Sequence, residues 1–282
     1  MSRVGRGWQL SKESWAIIKR DRTLLAFPVI AGIGALLTVG VLGGIGAGLA
    51  SDSEPVLIAL GVVGLYIVIA ISIFCGVALT ACAARSLEGE DTRANEGWSV
   101  ARSRLGPILG WAAVQLVVGG LITALQALLR QGAGQLVGSL IGGLANFAWT
   151  IATFFVIPTI ALEGLGPRTA LRRSTSIVRE RWGEGVTGSF AIGAVIFLVA
   201  FLPGAALVGL GILADDTLGV VLILVGVAFF LVGAVVQNAL MAVFKVALYR
   251  FAVEDRVVGE YDRAQLESAF KTRRRGLRGA AV

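Results

Sequence analysis

Apolar residues gather in six long runs, at 24–49, 56–84, 107–129, 136–162, 186–213 and 218–248. A helix needs about 20 apolar residues to cross the hydrocarbon core of a bilayer, so each run predicts one membrane-spanning helix. Strands of a membrane barrel alternate apolar and polar positions over ~10 residues, and these runs do not alternate. The gaps at 50–55, 130–135 and 214–217 are short, which predicts tight hairpins between spans 1 and 2, 3 and 4, and 5 and 6. The remaining polar segments are longer and basic: 23 of the 25 Lys and Arg residues lie in 1–23, 85–105, 163–184 and 249–282. The outer gaps carry Asp52, Glu54, Asp215 and Asp216 with one basic residue, Arg130. Basic loops stay on the cytoplasmic side, so both termini are expected in the cytoplasm.

The polar segments repeat. Ile18-Lys19-Arg20-Asp21-Arg22 precedes span 1, Val100-Ala101-Arg102-Ser103-Arg104 precedes span 3, and Ile177-Val178-Arg179-Glu180-Arg181 precedes span 5. The even-numbered spans end in Leu87-Glu88-Gly89, Leu162-Glu163-Gly164 and Val253-Glu254-Asp255. The expected architecture is an all-α membrane protein: six transmembrane helices in three parallel hairpin repeats about an axis along the membrane normal, with cytoplasmic interfacial helices. Residues 1–253 form the single membrane domain, and 254–282 a basic cytoplasmic tail.

Composition narrows the class. Charged residues make up 15% of the chain, against roughly 25% in a soluble domain. The mean hydropathy is +0.82. The net charge of +7 falls in the cytoplasmic segments, where anionic headgroups are the nearest partner. No nucleic-acid recognition module accompanies it. Histidine is absent, which removes the commonest general base and metal ligand; neither an enzyme nor a cofactor is expected. Cys75 and Cys82 stand seven apart on one helical face, about 10 Å along the axis, too far for a disulfide. The first apolar run is too long for a cleaved leader and should remain as a span. Richness in Ala, Gly, Val and Arg points to a bacterial cytoplasmic membrane as the setting.

Segments 8–22, 93–105 and 168–182 read as helices on the inner leaflet. Trp15, Trp98 and Trp182 recur in them, and Trp favours the boundary because its ring is apolar and its N–H seeks a wet partner. Together with Arg20, Arg22, Arg102, Arg104, Arg179 and Arg181 they are the candidate contacts to lipid headgroups. Two readings stand: a dedicated lipid-binding surface, or positive-inside charge with belt aromatics and no further task.

One segment resembles a known group. Glu163-Gly164-Leu165-Gly166-Pro167, then Ala170-Leu171-Arg172-Arg173-Ser174, Arg179 and Trp182, is similar to a motif of bacterial six-helix membrane proteins. That group includes the membrane module of glycerophosphodiester phosphodiesterases and integral membrane proteins of unknown function, and the likeness is greatest to one of the latter families. A weaker copy stands at 88–106. The resemblance implies the six-helix architecture. It does not carry the phosphodiesterase reaction, whose chemistry in those enzymes sits in a separate barrel using His and carboxylates.

Polar residues inside the spans are the remaining candidates. Gln115 and Gln126 share a face of span 3, Asn146 and Thr150 a face of span 4, and Gln237, Asn238 and Lys245 lie in span 6. Polar groups are costly in hydrocarbon, so these should face the bundle. They either line a polar cavity between repeats or tie helices together at ~0.6 kcal/mol per contact. Lys245 either snorkels to the cytoplasmic interface or is a buried cation facing Gln237, Asn238 or an anionic ligand. Pro158 and Pro203 are expected to kink spans 4 and 5. Glycine tracks at 40, 44, 48 and at 134, 138, 142 suit close helix packing within one subunit or a homo-oligomer or protein-partner interface. The favoured function is a non-enzymatic module that organises membrane or binds a partner or lipid. The alternative is a transporter, channel or lipid-handling protein with a site between repeats.

Overall fold

The computed structural model describes residues 3–49, 53–181, 193–214, 217–259 and 261. Among these the chain is helical, with no strand. Helix α1 (Arg3–Arg20) leads through a short 3-10 turn, Arg22–Leu25, into α2 (Ala26–Leu49). Then follow α3 (Glu54–Leu87), α4 (Ala94–Ser103), α5 (Leu105–Ala133) and α6 (Gln135–Ala152). The short α7 (Val156–Pro158) continues as a π-helical turn, Thr159–Glu163. Helix α8 (Pro167–Arg181), a π-helical turn at Phe197–Phe201, α9 (Leu202–Leu213) and α10 (Thr217–Glu254) complete the order.

Six helical stretches are long and apolar enough to cross a membrane: Arg22–Gly48, Glu54–Leu87, Leu105–Gly132, Gln135–Glu163, Gly193–Leu213 and Thr217–Glu254. They coincide with the six apolar runs, and the chain is a multi-pass membrane protein. Consecutive spans pack along each other as α2 with α3, α5 with α6, and α9 with α10. Spans 5 and 6 touch backbone to backbone: a Cβ added at Gly226 would lie 2.7 Å from the Gly204 carbonyl, and one at Gly211 2.7 Å from that of Gly219. Only residues without a side chain allow this approach.

The buried core sits at one end of the bundle. It is built from Ile17 to Phe27, Ile73 to Leu87, Ala101 to Ala112, Phe154 to Ile177 and Ala239 to Phe251. Toward the other end the spans expose Leu36, Leu37, Leu128, Leu140 and Leu213, the surface that hydrocarbon covers in a bilayer. Helix α10 has 38 residues, about 57 Å at 1.5 Å per residue. That is nearly twice the ~30 Å hydrocarbon core, so it reaches from one end of the bundle into this core. Helices α1, α4 and α8 form a collar around the same end. Each buries one face at helical spacing: Ser14, Ile17 and Ile18 on α1, Gly97 and Ala101 on α4, Ala170, Ser174 and Ile177 on α8.

The prolines act where the sequence places them. Span 4 breaks at Thr153–Phe155, upstream of Pro158, resumes as α7 and then widens into the π turn Thr159–Glu163. In span 5 the π turn ends at Phe201, just before Pro203, and Leu202 N–H bonds the carbonyl of Phe197. Pro203 has no N–H for the Val199 carbonyl, so the wider turn absorbs the missing bond.

Candidate functional site

The Glu-Gly-x-Gly-Pro segment lies in the collar, and Glu163, Gly164 and Pro167 each have a physical task there. The Tyr249 hydroxyl of α10 donates to Glu163 Oε1. Arg173 Nε of α8 approaches the same oxygen at 3.5 Å. One carboxylate thus ties span 4 to span 6 and to the collar. Gly164 ends the span in the left-handed region, φ +69, and the Arg104 guanidinium lies where a Cβ would go. Pro167 opens α8, where a missing N–H costs nothing. Its ring packs so closely on Gly110 that an added Cβ would lie 2.8 Å from Cγ.

Ser174 repairs the break in span 4. Its hydroxyl donates to the Ala152 carbonyl at 2.7 Å and accepts the Phe155 N–H at 3.1 Å. Buried backbone groups at a helix break need such partners. The serine of the motif could be noticed from sequence, but its partners could not.

A related arrangement closes span 2. Gly89 has φ +91, and Arg20 Nη2 donates to the Ser86 carbonyl at 3.0 Å. Glu88 pairs with Arg250 of α10 at 3.1 Å. The Thr92 hydroxyl donates to Asp21 Oδ2, joining the start of span 1 to the loop after span 2. Ser14 on α1 and Tyr261 share a buried hydrogen bond of 2.6 Å. Burial pushes the Tyr261 phenol above its ordinary value, partly offset by the Ser14 hydrogen bond.

The polar span residues do not converge on one site. Gln115 Oε1 accepts the Trp149 indole N–H at 2.7 Å. Gln126 packs over Gly142, where an added Cβ would lie 2.7 Å from Cδ. Both therefore serve the contact between spans 3 and 4. Gln237 is half-buried beside Gly193 of span 5. Asn146, Thr150 and Asn238 are exposed, contrary to the expectation that they face the bundle. The reason is local: Asn146 Nδ2 bonds the Gly142 carbonyl at 3.0 Å, Thr150 Oγ1 that of Asn146 at 2.8 Å, and Asn238 Nδ2 that of Ala234 at 2.8 Å. A side chain that bonds its own helix one turn back relieves part of its cost in hydrocarbon without an interhelical partner. Lys245 places Nζ 4.9 Å from the centre of the Phe154 ring, a cation–π contact inside the core, rather than beside Gln237 or Asn238.

The headgroup candidates divide. Arg22, Arg102 and Arg179 are exposed on the collar, and Arg20 is exposed while bonding Ser86. Two expectations are corrected. Trp98 packs inward between Phe27 and Phe74, at ring-centre distances of 5.0 and 5.6 Å. Gly97 lets α4 lie this close, since a Cβ there would meet the Ala78 carbonyl at 2.7 Å. Arg104 is half-buried over Gly164 and faces the chain. The Arg181 side chain and Trp182 lie outside the described residues, as does the tail from 262.

The glycine tracks also separate. Gly138 and Gly142 of span 4 pack on Arg130 and Gln126 of span 3, whereas Gly40, Gly44 and Gly48 of span 1 meet nothing within 4 Å. Cys75 and Cys82 are buried free thiols.

Sequence reading missed one feature altogether. A cavity of about 1050 Å³ lies between α1, span 5 and span 6. Val195, Val199, Phe229 and Val232 are among its apolar walls. Among the described residues its charged lining groups are Lys12, Glu13 and Lys19, all on α1, with Trp15 between them.

A family model described as a family of unknown function, DUF6159, matches residues 55–259, and the chain belongs to that family. The match takes in spans 2 to 6 and the Glu163–Ser174 segment; α1 and span 1 precede it. No curated protein matches the chain.

Proposed function

We propose that this DUF6159 chain is a non-enzymatic, lipid-binding module of a bacterial cytoplasmic membrane, with both termini inside. Three parallel hairpin repeats project their connecting helices onto the inner leaflet. The carrying observation is the collar. Helices α1, α4 and α8 bury one face against the core and present Lys19, Arg102, Arg168, Arg172 and Arg179 on the exposed side, joined by Arg22 of the turn after α1. Each such charge near anionic headgroups contributes ~1 kcal/mol. The recurrence of an arginine at the left-handed glycine ending spans 2 and 4 supports the repeat reading: Arg20 at Gly89 and Arg104 at Gly164. A cation there also complements the negative end of a helix dipole. Histidine, the commonest general base and metal ligand, is absent from the sequence, and among the described residues no three His, Cys, Asp or Glu side chains group as a metal site would require. The core at the collar end is built mainly from apolar side chains, and the polar span residues do not gather into a path through it, which favours this reading over a solute path.

Cysteine labelling in intact cells tests the orientation, and the two native thiols are buried and give little background. Ser53→Cys should react with an impermeant reagent added outside, and Arg102→Cys only after the membrane is opened. Native mass spectrometry tests the lipid reading. Arg22→Glu, Arg102→Glu and Arg179→Glu combined should strip anionic lipid adducts relative to zwitterionic ones. Unchanged adducts would remove the lipid-binding claim, and reversed labelling would remove the orientation.

A further inference from the structure

The cavity between α1, span 5 and span 6 has the two-part chemistry of an amphiphile site. Val195, Ile196 and Leu240 form buried parts of its wall, while Val199, Phe229 and Val232 stand open to it. Among the described residues, no polar side chain of spans 5 or 6 lines it. A polar solute entering would lose its hydrogen bonds without replacement, so hydrocarbon is the complement. The volume of about 1050 Å³ lies at the top of the ~300–1,000 Å³ of drug-sized sites, large enough for acyl chains.

The backbone builds this shape. Spans 5 and 6 touch where a Cβ at Gly233 would meet that of Ala200 at 2.7 Å. The π turn Phe197–Phe201, forced by Pro203, sets Val199 and Ala200 on the wall. Such turns frequently mark functional positions in helices.

Helix α1 supplies the other half. Lys12 and Lys19 are two turns apart on one face, ~10 Å along the axis, and Trp15 lies between them. A phosphodiester bridging the lysines would leave the chains against the valines and the indole at the boundary. Glu13 lies on the same lining. It disfavours a second negative charge on the headgroup and can accept from a headgroup hydroxyl.

We propose that this cavity holds one monoanionic diacyl glycerophospholipid, its phosphate at Lys12 and Lys19 and its acyl chains between spans 5 and 6. The inference shares the lipid-binding reading above but names a separate, individually occupied site, one that does not depend on membrane orientation. It is therefore tested in detergent. The full chain is purified in a mild detergent and titrated with phosphatidylglycerol, phosphatidylethanolamine or phosphatidylcholine, and adducts are counted by native mass spectrometry. One phosphatidylglycerol should be held in preference to the other two. Ala228→Trp fills the cavity from an exposed wall position and should weaken retention by about tenfold or more. Val232→Trp, at an independent exposed position, should do the same and guards against misfolding of the first variant. Lys19→Glu should remove the preference for phosphatidylglycerol. Leu224→Trp, exposed on the same span outside the cavity, should change nothing. Equal retention of the three lipids, or full retention in both filled variants, overturns the proposal. So does a concentration-dependent dimer, abolished by the filled variants and free of lipid, which would make a second copy the occupant. The collar charges Arg22, Arg102 and Arg179 do not line the cavity, so their combined reversal separates failure of the collar reading from failure of this one.

Discussion

The hydroxyl of Ser174 on α8 accepts the backbone N–H of Phe155 in span 4 at 3.1 Å, across 19 positions of sequence, while donating to the carbonyl of Ala152. One side chain thereby replaces two backbone bonds that the break in span 4 leaves open. Ser174→Ala should lower stability by about 1–3 kcal/mol, the cost of leaving buried backbone groups unpaired. Ser176→Ala is the control: its hydroxyl bonds only the Arg173 carbonyl of its own helix, and the change should stay within about 0.5 kcal/mol. Denaturation of the detergent-solubilised protein measures both. Equal losses would mean that the stitch contributes nothing.

Gly164 and Gly166 are two residues apart and should respond differently. Gly164 has φ +69 and the Arg104 guanidinium in place of a side chain. Gly164→Ala adds about 1–2 kcal/mol of left-handed strain and must also displace Arg104. Nothing lies within 4 Å of an added Cβ at Gly166, so Gly166→Ala should be nearly neutral. Thermal unfolding of the two variants side by side decides the point; similar melting temperatures would contradict it.

The amides of spans 3 and 4 give a second contrast. Gln115→Leu leaves the Trp149 N–H without its acceptor, which should cost about 0.6–1.7 kcal/mol in a membrane protein. Asn146→Leu removes an exposed amide bonded only to its own helix, and should be neutral or slightly stabilising. Unfolding in mixed micelles with rising denaturing detergent ranks them. A larger loss for Asn146→Leu would restore a bundle-facing role to that residue.

Tyr261 makes one contribution to stability pH-dependent. An unfolded tyrosine ionises near ~10, whereas burial holds the folded phenol neutral well above that. Between the two values the unfolded state has lost the proton and the folded state has kept it. The contribution is therefore complete below pH ~10 and declines as pH rises further. Tyr261→Phe should cost about 1 kcal/mol at neutral pH through the lost Ser14 bond and flatten the alkaline decline. Parallel pH series of unfolding for the two proteins test this; identical alkaline slopes would refute it.

The sequence by itself determined what depends on one residue and its chain neighbours. Six apolar runs became six helices because each must satisfy its own backbone bonds in lipid. Pro158 and Pro203 marked the irregular turns because inside a span a missing N–H leaves a carbonyl one turn back without its donor. Basic residues marked the collar, and the Glu163–Ser174 motif marked its most interlocked part. Contacts across the chain were decided only by the tertiary structure. Asn146 and Gln115 read alike as amides in spans, yet one bonds its own helix and the other a neighbouring tryptophan, since geometry beyond one turn has no local signal. Trp98 carried the signature of a headgroup contact and instead packs on Phe27 and Phe74, because Gly97 lets α4 settle onto α3. The cavity joins α1 to a hairpin more than 170 residues further along the chain, and its shape comes from where Ala200 meets Gly233. Local chemistry sets which groups must be satisfied, and only the packed chain sets which partner satisfies them.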